Sequence, residues 1–297
     1  MWIPFPTKLY NGLERFQRWM QASTREVQQL ILAHGKIFGE EGLVLLKNKH
    51  LLNLYRGRRA FVLGNGPSLN EVDIHRLSGE LLFTVNDFGS HPAVRTIQPT
   101  IHCFADPNYF KYPDNFRPVF LRVLDNLPNT IYVMPTIARA VVQELGLFPE
   151  ERSYYCRLVG SMGHHQLMHV DLTKPILGAQ TVSHLALAVA IYTGCNPIYL
   201  MGMDMSWLAH PNKQIHFSSV YEADAKPIHI NANLDYCDHI ESGVLVFQGF
   251  RALKRAADAR GQQIYNASSG GFLDVFPRIP FETALQPIPQ VSAGITR

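Results

Sequence analysis

From Arg59 onward, short apolar runs alternate with segments whose apolar residues recur every three or four positions. The runs 59–63, 81–86, 100–104, 130–134, 153–157, 197–201 and 262–266 are flanked by turn-forming residues and read as buried strands. The segments 69–77, 107–112, 115–123, 136–146, 180–193 and 242–260 carry the helical period. Strands alternating with helices predict an α/β fold. The expected form is an open, mainly parallel twisted sheet with helices on both faces, Rossmann-like in organisation. This unit spans 58–280, preceded by a helical extension over 1–57 and followed by a tail over 281–297.

The extension has its own pattern. Trp2, Ile3, Phe5, Leu9, Leu13, Phe16, Trp19 and Met20 recur at helical spacing with Lys8, Arg15 and Arg18 interleaved. Such a segment either packs on its own domain or a second subunit, or lies on a membrane surface through residues 1–22. Further helix is expected over 24–34 and 40–55. The segment 205–240 is polar, His-rich and aromatic without a period, and reads as a lid-like loop over a site.

Composition narrows the classes. A hydrophobic content of 46% over 297 residues supplies a substantial core, and a net charge of +3 with no dense basic stripe argues against a nucleic-acid partner. Cys103, Cys156, Cys195 and Cys237 are widely spaced, which suggests reduced thiols in a cytoplasmic protein. His164, His165 and His169 have i, i+4 spacing but no third ligand at a diagnostic distance, so no metal site is assigned. No apolar run is long enough to span a bilayer, and no export signal is evident at the N-terminus.

In an open parallel sheet, ligands bind beyond the carboxyl ends of the strands. The first strand ends in Gly64-Asn65-Gly66-Pro67-Ser68, a turn in which glycines allow close backbone approach to a ligand. A helix expected directly after it would present N–H groups to a phosphate. Asn86, Asp106 and Asp204 end three further strands, and together the four make a polar floor. Any one alone would more often be a helix cap. Thr181 and Ser183, at the start of the 180–193 helix, are either caps or ligand contacts. The turn lacks the third glycine of a dinucleotide fingerprint and the Lys-Ser/Thr of a P-loop.

The stretch Gly64-Asn65-Gly66-Pro67-Ser68-Leu69 and Asn86 carry a resemblance. So do Asp106-Pro107, Ala188-Val189-Ala190-Ile191 before Gly194, and Ile198-Tyr199-Leu200-Met201-Gly202-Met203-Asp204. The late Ile264-Tyr265-Asn266-Ala267-Ser268-Ser269-Gly270-Gly271 also fits it, so it covers roughly 57–280. They resemble the superfamily of family 42 bacterial sialyltransferases, motility accessory factors and 6-hydroxymethylpterin pyrophosphokinase-like (MptE-like) proteins. The sialyltransferase resemblance implies an enzyme moving a nonulosonic sugar from a CMP-activated donor to a glycan acceptor, without a cofactor or metal. Asn65, Ser68 and Asn86 would then hold the donor, with Thr181 and Tyr221 beside it, in surface-glycan assembly at the cytoplasmic face of the membrane. Ser206 and Trp207 stand where that family carries tyrosines, and Tyr221 is the nearest tyrosine. His239, before the last long helix, or His216 in the preceding loop would serve as the general base.

The pyrophosphokinase resemblance assigns Asp106 and Asp204 to Mg²⁺ on ATP phosphates instead. A third reading is a non-catalytic glycan-assembly protein that retains the nucleotide fold. A homo-oligomer is compatible with any of these.

Overall fold

A computed structural model describes residues 40–161, 169–208 and 235–287. Seven parallel strands form the main sheet in the order β5-β4-β3-β2-β1-β8-β9. They are β1 (Ala60–Leu63), β2 (Leu81–Val85), β3 (Ile101–Cys103), β4 (Ile131–Pro135), β5 (Ser153–Cys156), β8 (Ile198–Met201) and β9 (Ile264–Asn266). Each lies within or on the edge of a run expected from the sequence. A separate parallel pair, β6 (Leu158–Val159) and β7 (Ile176–Leu177), was not foreseen; it is too short to show a period.

The helices are α1 (Glu40–Leu46), α2 (Val94–Ile97), α3 (Asn108–Lys111), α4 (Pro113–Asn126), α5 (Ala138–Glu144), α6 (Val182–Tyr192), α7 (Tyr236–Asp258) and α8 (Phe281–Leu285). Side chains alternate across the sheet. Ala60 and Val62 of β1 pack toward α6 and α7, while Phe61 and Leu63 pack toward α4 and α5. A sheet buried on both faces explains why its strands read as continuous apolar runs. Nearly every residue of α6 is buried, and its sequence is correspondingly apolar all round.

The structure corrects several expectations. Residues 69–77 are not a helix: two 3₁₀ turns, Pro67–Glu71 and Ile74–Leu77, follow β1 instead. Asp73 caps the second by accepting the His75 N–H. The last long helix begins at Tyr236 rather than 242, under a capping box in which Asp235 and Asp238 exchange side-chain-to-backbone bonds. His239 therefore lies inside this helix, not before it. The first five residues of the presumed tail form α8, with Phe281 and Ala284 buried. Leu45 and Leu51 are also fully buried, so the stretch just before residue 57 belongs to the core. The extension before residue 40 and the loop 209–234 lie outside the described residues, with His216 and Tyr221 in that loop. His164 and His165 lie outside them as well, whereas His169 is exposed. Among the described residues no helix is long and apolar enough to cross a membrane.

Candidate functional site

Strands β1 to β5 progress toward one edge of the sheet, and β8 and β9 lie on the other side of β1. The order reverses between β1 and β8, and a crevice opens at their carboxyl ends. The loops leaving these two strands are bonded together. Gly64 N–H donates to Met201 O and Gly66 N–H to Gly202 O, both at 2.8 Å. Ser68 N–H donates to Asp204 Oδ2 at 2.8 Å, and the Ser68 hydroxyl donates to Asp204 Oδ1. A Cβ at Gly64 would sit 2.4 Å from Gly202 O, and one at Gly66 would sit 2.6 Å from that oxygen and 2.7 Å from Asp204 Oδ2. The glycines thus admit the neighbouring loop, which is a different service from admitting a ligand. Asp204 is sealed from behind by the Gly270–Gly271 turn, whose Phe272 N–H donates to Asp204 O at 2.7 Å.

Above this junction lies a cleft of about 460 Å³, within the usual range of about 300–1,000 Å³ for small-molecule sites. Of the residues singled out from sequence, Asn65, Gly66, Asn86, Asp106, Thr181 and Asp204 line it. Gly64 and Ser68 support it from below through the bonds just described. His239 is exposed on the first turn of α7. It lies three and seven residues before Ser242 and Val246, which line the cleft from the same helix, so it shares their face at the rim.

Two side chains leave buried acceptors open. Asn65 is 9% exposed; its amide nitrogen donates to Val85 O at 3.2 Å, while its Oδ1 has no partner among the described residues. Asn86 Oδ1 is likewise buried and without a partner. The Asn86 backbone is left-handed, with φ of 48°, a region that asparagine tolerates better than most residues. The turn that carries it is anchored by the next residue. Asp87, with a fully buried side chain, accepts from Arg122 of α4 at 3.1 and 2.7 Å.

The opposite wall is the start of α6. Thr181 occupies the N-cap position, but its side chain makes no capping bond. Gln180, Thr181, Val182 and Ser183 line the cleft at the start of this helix, where the first N–H groups lack an intrahelical acceptor. Gln180, Ser242 and Val246 were not anticipated as lining residues, and neither was His184, the fully buried residue that joins the two walls they belong to. His184 Nδ1 accepts from the Gln180 N–H at 3.3 Å, and its other ring nitrogen donates to Val246 O at 3.0 Å. Burial pushes its pKa down to about 4, so the ring is neutral. Gly249 makes room for it: a Cβ there would lie 2.3 Å from the ring. The visible signal was a histidine in an otherwise apolar helix.

Met203 and Met205 are buried and line the cleft with half-buried Trp207. The charged side chains among the described lining residues are Asp106 and Asp204. Asp106 is exposed, and its Oδ1 accepts the Asn108 N–H at 2.8 Å. With both Asp204 oxygens taken by Ser68, this pair fits poorly as a Mg²⁺ floor: it offers one accessible carboxylate, whereas hard cations collect several oxygens. Among the described residues, no three His, Cys, Asp or Glu side chains gather as a metal centre.

Comparisons with solved structures give the sialyltransferase CstII from Campylobacter jejuni in complex with the substrate analogue CMP-3FNeuAc. It is 13% identical, with a TM-score of 0.43 over 78% of this chain and 89% of that one. A CstII complex with trisaccharide acceptor and CMP is 15% identical, with a TM-score of 0.45 over the same shares. The monofunctional α-2,3-sialyltransferase Cst-I from Campylobacter jejuni is 14% identical, with a TM-score of 0.41 over 75% of this chain and 80% of that one. No curated protein sequence matches the chain. The sequence model of the family described as "6-hydroxymethylpterin diphosphokinase MptE-like" matches residues 42–210, from α1 through the β1–β8 switch point and just past Asp204. By that match over more than half its length, the chain belongs to the MptE-like family.

Proposed function

We propose that the cleft binds a CMP-activated nonulosonic acid and that the chain transfers the sugar to a glycan acceptor, with inversion and without a metal. The observation that carries this reading is a cleft lined on one side by Asn65 and Asn86, whose buried amide oxygens have no partner among the described residues, and on the other by the start of α6, where Thr181 makes no capping bond. Amide oxygens suit the amino group of cytosine or the hydroxyls of ribose. The first N–H groups of α6 suit one phosphate. Without a metal, the charge on departing CMP is met by such preorganised donors, with Thr181 and Ser183 beside them. In the displacement, an acceptor hydroxyl oxygen bonds to the anomeric carbon as the bond to the CMP phosphate breaks, and CMP leaves with the electron pair. A histidine takes the hydroxyl proton. His239 is the assignment, from its place on the α7 face that continues into the cleft, and His216 is the alternative.

The family description favours a second reading, pyrophosphate transfer from ATP to a pterin-like alcohol. A triphosphate calls for cations, and the described lining offers two carboxylates with neither Lys nor Arg. The two readings separate on incubation with CMP-sugar plus acceptor and with ATP plus Mg²⁺. The first expects CMP release that persists in EDTA and falls at least a hundredfold in His239→Ala, a typical contribution of a general base. Failure of any CMP-nonulosonic acid to bind in calorimetry would reject it, and EDTA-sensitive AMP formation would establish the other.

A further inference from the structure

We propose that the face of the domain remote from the cleft, built from Leu52, Leu54, Arg56, Arg58 and Arg260, docks on an anionic lipid bilayer. These residues precede β1 or follow α7, so they lie at the amino ends of the parallel strands. Leu52 is 46% exposed and Leu54 48%. Between them Asn53 accepts from Arg260 at 3.1 Å, while its own N–H donates to Tyr192 O at 3.1 Å, which fixes the turn to both α7 and α6. Arg56 and Arg58 follow, exposed, with the Arg58 guanidinium 5.9 Å from the centre of the Tyr55 ring. From Gly42 through Asn70 the sequence has no Asp or Glu but holds Lys47, Lys49, Arg56, Arg58 and Arg59. Lys47 and Arg59 are turned inward, to the Glu150 and Ser153 carbonyls and to Glu80. Among the described residues, Lys49, Arg56 and Arg58 are in no ion pair.

Exposed leucines beside Arg56 and Arg58, which are in no ion pair among the described residues, match the two layers of an anionic bilayer surface, acyl chain edge and headgroup. Charge argues against the other occupants. Residues 1–39 carry five cations (Lys8, Arg15, Arg18, Arg25 and Lys36) against two acids (Glu14 and Glu26), so that segment repels the face as a second copy of it would. Docking in this way leaves the cleft, at the other end of the strands, open to donor and acceptor.

Co-sedimentation of the full chain with vesicles tests the proposal. Binding is expected to phosphatidylcholine–phosphatidylglycerol vesicles, not to pure phosphatidylcholine, and to fall as salt rises. Arg56→Gln and Arg58→Gln should each weaken it about fivefold, as expected for one basic residue near such a surface. Arg56→Lys with Arg58→Lys should retain it, and Leu52→Ser with Leu54→Ser should weaken it without altering the circular dichroism. The proposal is overturned if the mixed vesicles are ignored, or if the Gln variants bind as the parent does. It is also overturned if the same variants act instead by splitting a dimer in light scattering, or by releasing an RNA oligonucleotide that the parent holds while lipid binding is unchanged.

Discussion

The bond pair between Ser68 and Asp204 ties the two loops of the switch point, and its loss should be read in stability before it is read in chemistry. Asp204 is 6% exposed and accepts the Ser68 N–H and hydroxyl on separate oxygens. In Asp204→Asn one oxygen becomes an amide nitrogen that can only donate. The Ser68 backbone N–H cannot turn away, so the remaining oxygen is expected to serve it, and the hydroxyl turns to accept from the new amide, exchanging a bond to an ionised group for a neutral one. Bonds to an ionised group contribute about 1.5–3 kcal/mol and neutral ones about 0.5–1.5 kcal/mol, which places the loss for the two bonds near 2 kcal/mol. Ser68→Ala removes the hydroxyl alone and should cost about 1 kcal/mol. Both changes touch one contact, so the double variant should fall short of their sum by about 1 kcal/mol. Urea unfolding of the parent, both single variants and the double variant near neutral pH gives these differences from midpoints at a shared slope. Asp204→Asn as stable as the parent, or additive losses, would refute the tie and return Asp204 to the pool of free ligands.

Three further outcomes follow from the surroundings of the cleft. Asn86→Gly relaxes a left-handed backbone at φ of 48° while deleting an open acceptor; thermal shift should show stability held or slightly raised and the response to CMP lost. Arg122→Ala leaves the buried Asp87 carboxylate without its guanidinium and should cost about 3–5 kcal/mol in chemical denaturation, loosening the turn that carries Asn86. For His184, a folded pKa of about 4 against the ordinary 6.5 means the unfolded chain binds the proton more readily between those values. Stability is therefore unaffected above that window and falls as pH drops through it, by about 3 kcal/mol in all, and His184→Gln should flatten this part of a pH series of urea midpoints.

The strands were legible in sequence because each is buried on both faces and so appears as an uninterrupted apolar run between turn residues. The reversal of strand order was not, since it depends on where β8 inserts beside β1, and no local period records that. The polar floor was legible as a set of strand ends: Asn65, Asn86, Asp106 and Asp204 do line one cleft. What sequence could not show was which of them are already engaged. Ser68 and Asp204 look like two ligands along the chain and are each other's partners across 136 positions. The expected helix after Gly66 failed because Leu69, Ile74 and Leu77 fit a helical spacing that two 3₁₀ turns, the second capped by Asp73, satisfy equally well. The wall made by Gln180, Ser242 and Val246 was hidden because its members lie far apart in the chain, on the turn before α6 and on α7, and a buried imidazole bonds the two together.

The division of labour in the Gly64–Ser68 turn follows from these distances. If its glycines existed for a phosphate, a methyl group at Gly66 would project into open cleft; instead it would strike Gly202 O and Asp204 Oδ2. The turn is therefore built first against β8, and its one side chain left with an open buried acceptor is Asn65. Donors for an anion must come from across the cleft, where Thr181 leaves the start of α6 uncapped. A ligand satisfying both walls must carry hydrogen-bond donors at one end and negative charge at the other, separated by the width of the cleft. Under the proposed reading, a nucleoside monophosphate would meet that requirement with its base or ribose on Asn65 and Asn86 and its phosphate on α6. Free phosphate or a bare sugar meets only half of it. Specificity in this family member should accordingly reside in the two asparagines, and anion affinity in the helix, while the glycines that first mark the site in the sequence hold the sheet together beneath it.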